Sequence, residues 1–250
     1  MLDVHVTLQF HPDWAFGDGF VIEAIARDGR YRSQFETGTS NGGLTAHEDG
    51  DRWRWESRLF RGRYDGAAHS ERPVYGALNF ADDPYGGSVR FGSAHLRLRE
   101  EVMDRCTFCF PDSVFEPDAV TGSGEVDDLI RLAHASELDH LDRYVEAHVH
   151  GQVCIARDVE AVVLDPRYQG TDVERAAERF DCPVEWHPGF ATATASLDPS
   201  YRGGEYVELA RSIGSVITPD LIGQAAREGK YDNQALKRVW HYLAKFGRRA

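Results

Sequence analysis

The sequence is poor in several things, and each shortage closes off a class of protein. There are four cysteines in 250 residues, Cys106, Cys109, Cys154 and Cys182. That is too few to staple a fold of this length with disulfides. No apolar run approaches the ~18 residues of a membrane span. The opening MLDVHVTLQF is too short and too polar for a signal peptide. A soluble, cytoplasmic protein with reduced thiols is expected, with export by a route that cleaves no signal left open. Positive charge is also short. The net charge is −13, which disfavours a sequence-independent grip on duplex nucleic acid. A phosphate-binding P-loop, a glycine-rich dinucleotide fingerprint and a G-x-S-x-G elbow are all missing, so kinases, classical dehydrogenases and esterases of those types are disfavoured.

What remains suits an ordinary globular domain. Hydrophobic residues make up 42% and charged residues 28%, enough for a substantial core. Residues 2–10 alternate, with Leu2, Val4, Val6, Leu8 and Phe10 on one side, and predict a strand. His11-Pro12 ends it. Residues 18–27 carry a helical stripe closed by Asp28-Gly29. Residues 31–46 are crowded with Gly, Ser, Thr and Asn and predict a loop. Further strands are expected over 72–80, 89–99 and the RCTFCF segment. A helix is expected over 127–142. Thr171 or Asp172 caps another. Residues 205–246 read as helical, with Pro219 in a first turn and Gly229 and Gly247 as stops. Strands with inserted helices, followed by helices alone, predict an α+β fold. The expected division is an α+β domain over 1–200 and a helical extension over 201–250 packed on it.

One stretch stands apart. In YVEAHVH, residues 144–150, alternation puts Tyr144, Glu146, His148 and His150 on a single face. Strands deplete Glu, so Glu146 needs a partner or a task. A charged edge strand facing water is the plain alternative. His148 and His150 have strand spacing suited to a metal. Cys154, or Cys106 and Cys109, would complete such a site, although buried structural cysteine is commoner. A metal-dependent hydrolase is therefore a second candidate. Near the N-terminus, His11 precedes a loop bearing Arg32, Ser33, Thr37, Thr39 and Ser40. An arginine fork with small hydroxyl residues suits a pyrophosphate, and the same composition suits a plain surface loop. Trp53, Trp55, Phe60, Tyr64 and Tyr75 can stack a flat ring or fill a core.

The strings YRSQFETGTSNGGLTA, RPVYGALNF, RFGSAHLRL, CFPDSVFEP and YVEAHVHG resemble, as a set, a bacterial domain-of-unknown-function family, number 3626. The order of parts resembles the ADP-ribosyltransferase plan, in particular the DNA-modifying toxins of the DarT type. That resemblance implies a split mixed or antiparallel sheet with inserted helices. It implies NAD as substrate and a toxin or effector role, with the acceptor left open as protein, nucleic acid or small molecule. It aligns Glu146 with the catalytic carboxylate and Tyr75 with the aromatic that stacks nicotinamide. It aligns His11 or Arg32 with the residue that holds NAD, and Ser33, Thr39 and Ser40 with the lining of that site. The sequence departs from the plan at Tyr144, where a Glu-x-Glu pair would have its first member. A non-catalytic nucleotide-binding or interaction module is the third candidate.

Overall fold

The structure is a computed structural model and describes residues 4–38, 45–117 and 119–249. Seven strands hydrogen-bond into one sheet, so the expected split does not interrupt the ladder. From edge to edge the strands are Val184–Trp186, Val159–Leu164, Ala94–Leu98, His5–Phe10, Val74–Asn79, Glu146–Val149 and Cys106–Cys109. Neighbours are antiparallel except the pair between Val159–Leu164 and Val184–Trp186, which is parallel. The fold is α+β with a mixed sheet. Among the described residues, no helix is long and apolar enough to cross a membrane.

Alternation gives the sheet two unlike faces. Val6, Leu8, Leu78, Leu96, Phe108, Ala147, Val149, Val162 and Leu164 are buried in one apolar core. The helices Val21–Asp28 and Asp172–Ala177 cover that face with Ile22, Ile25, Val173, Ala176 and Ala177. The opposite face carries Thr7, Gln9, Tyr75, Glu146 and His148. It is buried as well, because the helix Asp51–Leu59 and the C-terminal helices lie over it: Trp55 packs on Tyr75 and His148, and Trp240 on His11. Burying a polar face obliges each of its groups to find a partner.

Three expectations are corrected in detail. The helix expected over 127–142 spans only Val126–Ala135. Beyond it, Ser136 Oγ accepts from the Leu138 amide and Asp139 Oδ1 from the Leu141 amide, at 3.2 and 3.0 Å. Such local bonds compete with the helical ladder. The strand expected over 89–99 begins only at Ala94, and Val89–Phe91 forms a 3₁₀ turn. Gly92 then passes so close to Phe10 that a Cβ would lie 2.2 Å from its carbonyl oxygen. The loop expected over 31–46 contains a short helix, Gln34–Thr37, capped by Ser33.

The C-terminal helices Gly204–Ile213, Pro219–Glu228 and Asn233–Phe246 form a second apolar cluster. They do so together with Tyr85, Val89, Leu141, Phe190 and Leu197. Trp240 Nε1 donates to the carbonyls of Val89 and Arg90, at 2.9 and 3.1 Å. The last helix is thereby fixed against the turn that enters the Ala94–Leu98 strand.

Candidate functional site

Between the polar face of the sheet and its covering helices lies a cavity of about 420 Å³. Its walls include His11, Arg32, Tyr75 and Glu146, four side chains spread over 135 positions of sequence. Ser33 is turned to another use. Its Oγ donates to the His69 carbonyl at 2.6 Å and accepts from the Glu36 amide at 3.3 Å. It is buried in the capping box of the short helix and does not line the cavity. Thr39 and Ser40 lie outside the described residues.

Glu146 occupies the buried strand next to the sheet edge, opposite Ala77 on one side and Cys109 on the other. Its Oε2 accepts from Ser113 Oγ at 3.1 Å, and its Oε1 lies 3.0 Å from His148 Nε2. Behind His148 the bonds continue. Thr107 Oγ1 is 3.2 Å from His148 Nδ1 and 2.9 Å from His150 Nε2, and His150 Nδ1 is 2.6 Å from the Tyr64 hydroxyl. With both rings neutral, these bonds run in one direction. Tyr64 donates to His150, His150 to Thr107, Thr107 to His148, and His148 to the carboxylate. Burial lowers the His150 pKa to about 4, consistent with a neutral ring at pH 7. His148 is enclosed by the rings of Trp55, Phe60 and Tyr75, with centroids 5.3–5.4 Å away. Of the aromatic cluster, Trp55, Phe60, Tyr64 and Tyr75 therefore pack around the histidines.

The remaining groups set the charge of the cavity. The Arg52 guanidinium lies 4.1 Å from the centroid of the Tyr75 ring and so occupies one face of it. The Tyr75 hydroxyl donates to Glu56 Oε1, and Arg72 donates to Glu56 Oε2, both at 2.8 Å. Arg52 is only 2% exposed, yet its Nε and Nη1 have no hydrogen-bond partner. Burial opposes its charge, but Tyr75 and the carboxylates of Glu146 and Glu56 outweigh that and hold its pKa up. Asp112 is pushed the other way. Burial and then the neighbouring Glu146 charge raise its carboxyl pKa, and it accepts from the Tyr144 hydroxyl. His11 stacks on Trp14, with centroids 4.5 Å apart. Burial and then Lys237 lower its pKa to about 3. Arg32 Nε is 2.7 Å from Asp28 Oδ2.

Two sequence readings change here. His148 and His150 do not form a metal pair, because both nitrogens of His150 are engaged by Tyr64 and Thr107. The group with ligand geometry is instead Cys109, Glu146 and His148, whose donor atoms lie within 4.8 Å of one another. Arg52, Asp112 and Ser113 were not anticipated. Arg52 had a legible signal: Arg52, Trp55, Glu56 and Leu59 are the buried residues of Asp51–Leu59. They stand at i, i+3, i+4 and i+7, a helical stripe disguised by its two charges.

The chain is similar to the Gene 2 protein of Mycobacterium phage D29. The two are 29% identical over 166 residues, which covers 57% of this chain and 60% of that protein. It is also similar to the Gene 2 protein of Mycobacterium phage L5, at 26% over 173 residues, covering 60% and 61%. The chain thus spans about three-fifths of the length of these relatives. Among solved structures it is similar to one described as "Thermosipho africanus DarTG in complex with ADP-ribose". The TM-score is 0.45 and the identity 13%, over 74% of this chain and 50% of that one. The sequence profile described as "Protein of unknown function (DUF3626)" matches residues 5–136 and 123–246, from the first strand to the last helix, and the chain belongs to that family.

Proposed function

We propose that this chain cleaves NAD and transfers its ADP-ribose, with Glu146 as the catalytic carboxylate. The observation that carries the reading is the shared cavity. Glu146, Tyr75, His11 and Arg32 were singled out separately in the sequence, and all four line one space of about 420 Å³, within the range of small-molecule sites. When the nicotinamide–ribose bond breaks, its electron pair leaves with nicotinamide and positive charge develops on the ribose. An ionised Glu146 beside it stabilises that charge and accepts the proton of the incoming nucleophile. Ser113 and His148 hold one bond to each carboxylate oxygen and so fix its orientation. The unpaired N–H groups of Arg52 fit an acceptor atom on the ligand, since a buried donor without a partner is costly.

Nicotinamide release from NAD, followed by mass spectrometry, tests the reading. Glu146→Gln should lower it about 10²- to 10⁴-fold, the usual worth of a general acid or base, in protein shown by circular dichroism to be folded. Unchanged turnover in a folded Glu146→Gln protein overturns the assignment.

Cys109, Glu146 and His148 favour a second reading, a buried metal centre. Metal analysis of the purified protein separates the two. A stoichiometric ion lost in Cys109→Ser supports the metal reading.

A further inference from the structure

A second cavity, of about 200 Å³, lies across a wall formed by Ser88 and Tyr144, which line both spaces. Its character runs against the net charge of the chain. Arg143, Arg248, His134 and His140 line it, and the one carboxylate among its lining residues, Asp83, is already paired with Arg248. Arg248 Nη1 donates to His140 Nε2 at 3.1 Å. A neutral His140 therefore carries its proton on Nδ1 and offers a second donor. Arg143 is exposed and, among the described residues, has no ion-pair partner. Ser88 Oγ is buried in the shared wall without a hydrogen-bond partner. Buried hydroxyls seldom stay unpaired, and a ligand oxygen would satisfy this one.

We propose that this second cavity seats a phosphate-bearing ligand. The uncommitted Arg143 guanidinium, an imidazole donor and a hydroxyl match the oxygens of a phosphate, with Arg248 already engaged by Asp83 and His140. Because Tyr144 stands two residues before Glu146 and lines both cavities, a ligand held here lies beside the Glu146 site. That makes it the seat of the second reactant, the acceptor. This role rests on the NAD-cleaving reading, whereas phosphate binding does not.

The test is a titration of the full chain with inorganic phosphate, and separately with a single-stranded trinucleotide. The ring-proton NMR signals of His134 and His140 report locally. Both signals should shift and saturate. Arg143→Ser, a surface change, should weaken binding at least about tenfold, the effect of losing one charge-assisted hydrogen bond. Arg32→Ser, in the first cavity, should leave the His134 and His140 responses unaltered. The trinucleotide binding at least about tenfold more tightly than inorganic phosphate identifies a nucleic-acid backbone as the source, and equal affinity identifies a lone phosphate group. Histidine signals that do not move, or equal affinity in wild type and Arg143→Ser, overturn the proposal. Glu146→Gln should bind phosphate as wild type does. Failure of the NAD reading therefore leaves this result intact, and the reverse holds too.

Discussion

Thr107→Val interrogates the hydrogen-bond chain behind Glu146. Valine has nearly the shape of threonine, so packing is kept and only the hydroxyl is lost. That hydroxyl bridges His148 Nδ1 and His150 Nε2, at 3.2 and 2.9 Å, so two bonds go at once. A buried polar group left unpaired costs about 1–3 kcal/mol. His148 is fully buried and bears that loss in full, whereas half-buried His150 recovers part of it from water. The expected destabilisation is about 2–3 kcal/mol, measured by urea unfolding at pH 7. The second effect is chemical. Without the Thr107 donor, His148 Nδ1 loses its partner, and the Glu146 carboxylate alone fixes the proton on Nε2. Nitrogen-15 NMR of the imidazoles should show the Nε2-protonated tautomer in wild type, and in the variant a His148 Nδ1 resonance moved by the loss of its hydrogen bond. Nicotinamide release should fall roughly tenfold, equivalent to about 1.4 kcal/mol, and Thr107→Ser should restore both readouts. A Thr107→Val protein with wild-type stability and an unmoved His148 Nδ1 resonance refutes the chain. A doubly protonated His148 ring in wild type refutes its direction.

Two further outcomes concern stability. His11 titrates at about 3 in the fold, against about 6.5 unfolded, so the unfolded chain binds its proton first. Its contribution is fully present above pH 6.5 and is lost as pH falls towards 3. Between pH 7 and pH 5, wild type should therefore lose about 2 kcal/mol relative to His11→Gln, read from urea melts at both pH values; parallel melts contradict the shift. Gly223 lies in the Pro219–Glu228 helix, where a Cβ would come within 1.9 Å of the Asp13 carboxylate. Gly223→Ala should destabilise by about 1–3 kcal/mol, despite the ~1 kcal/mol that alanine gains in a helix interior, because Asp13 is held by Arg227 and Tyr168.

The parts of this fold that were legible are those where a period matches one buried face. The strands His5–Phe10 and Val159–Leu164 announce themselves by alternation or by an apolar run. Glu146 was conspicuous because a carboxylate contradicts its strand. The stripe of the helix Asp51–Leu59 is present but disguised, because Arg52 and Glu56 occupy positions where apolar residues are sought. Ser113 and Asp112 sit in a turn, where no period exists to mark them. The helix end at Ala135 was missed because it depends on side-chain bonds from Ser136 and Asp139, which propensity does not register. The tie between Thr107, His148 and His150 depends on register between two strands about 40 residues apart. Alternation gives the face of a residue, and only pairing gives its neighbour.

The same charges that hid the Asp51–Leu59 helix stand in one buried layer with Glu146. An isolated carboxylate in an apolar site would take up a proton instead of remaining ionised. Here two buried guanidinium groups, Arg52 and Arg72, stand among three buried carboxylates, Glu56, Glu146 and Asp112. Arg72 is committed to Glu56 through a direct bond, which leaves the Arg52 charge to be answered from the cavity side. Glu146 supplies part of that answer. Removing either residue would therefore take one favourable charge interaction from the other. The two residues are one electrostatic unit. Its cation comes from the covering helix and its anion from the sheet, and the cavity is the space between those two layers.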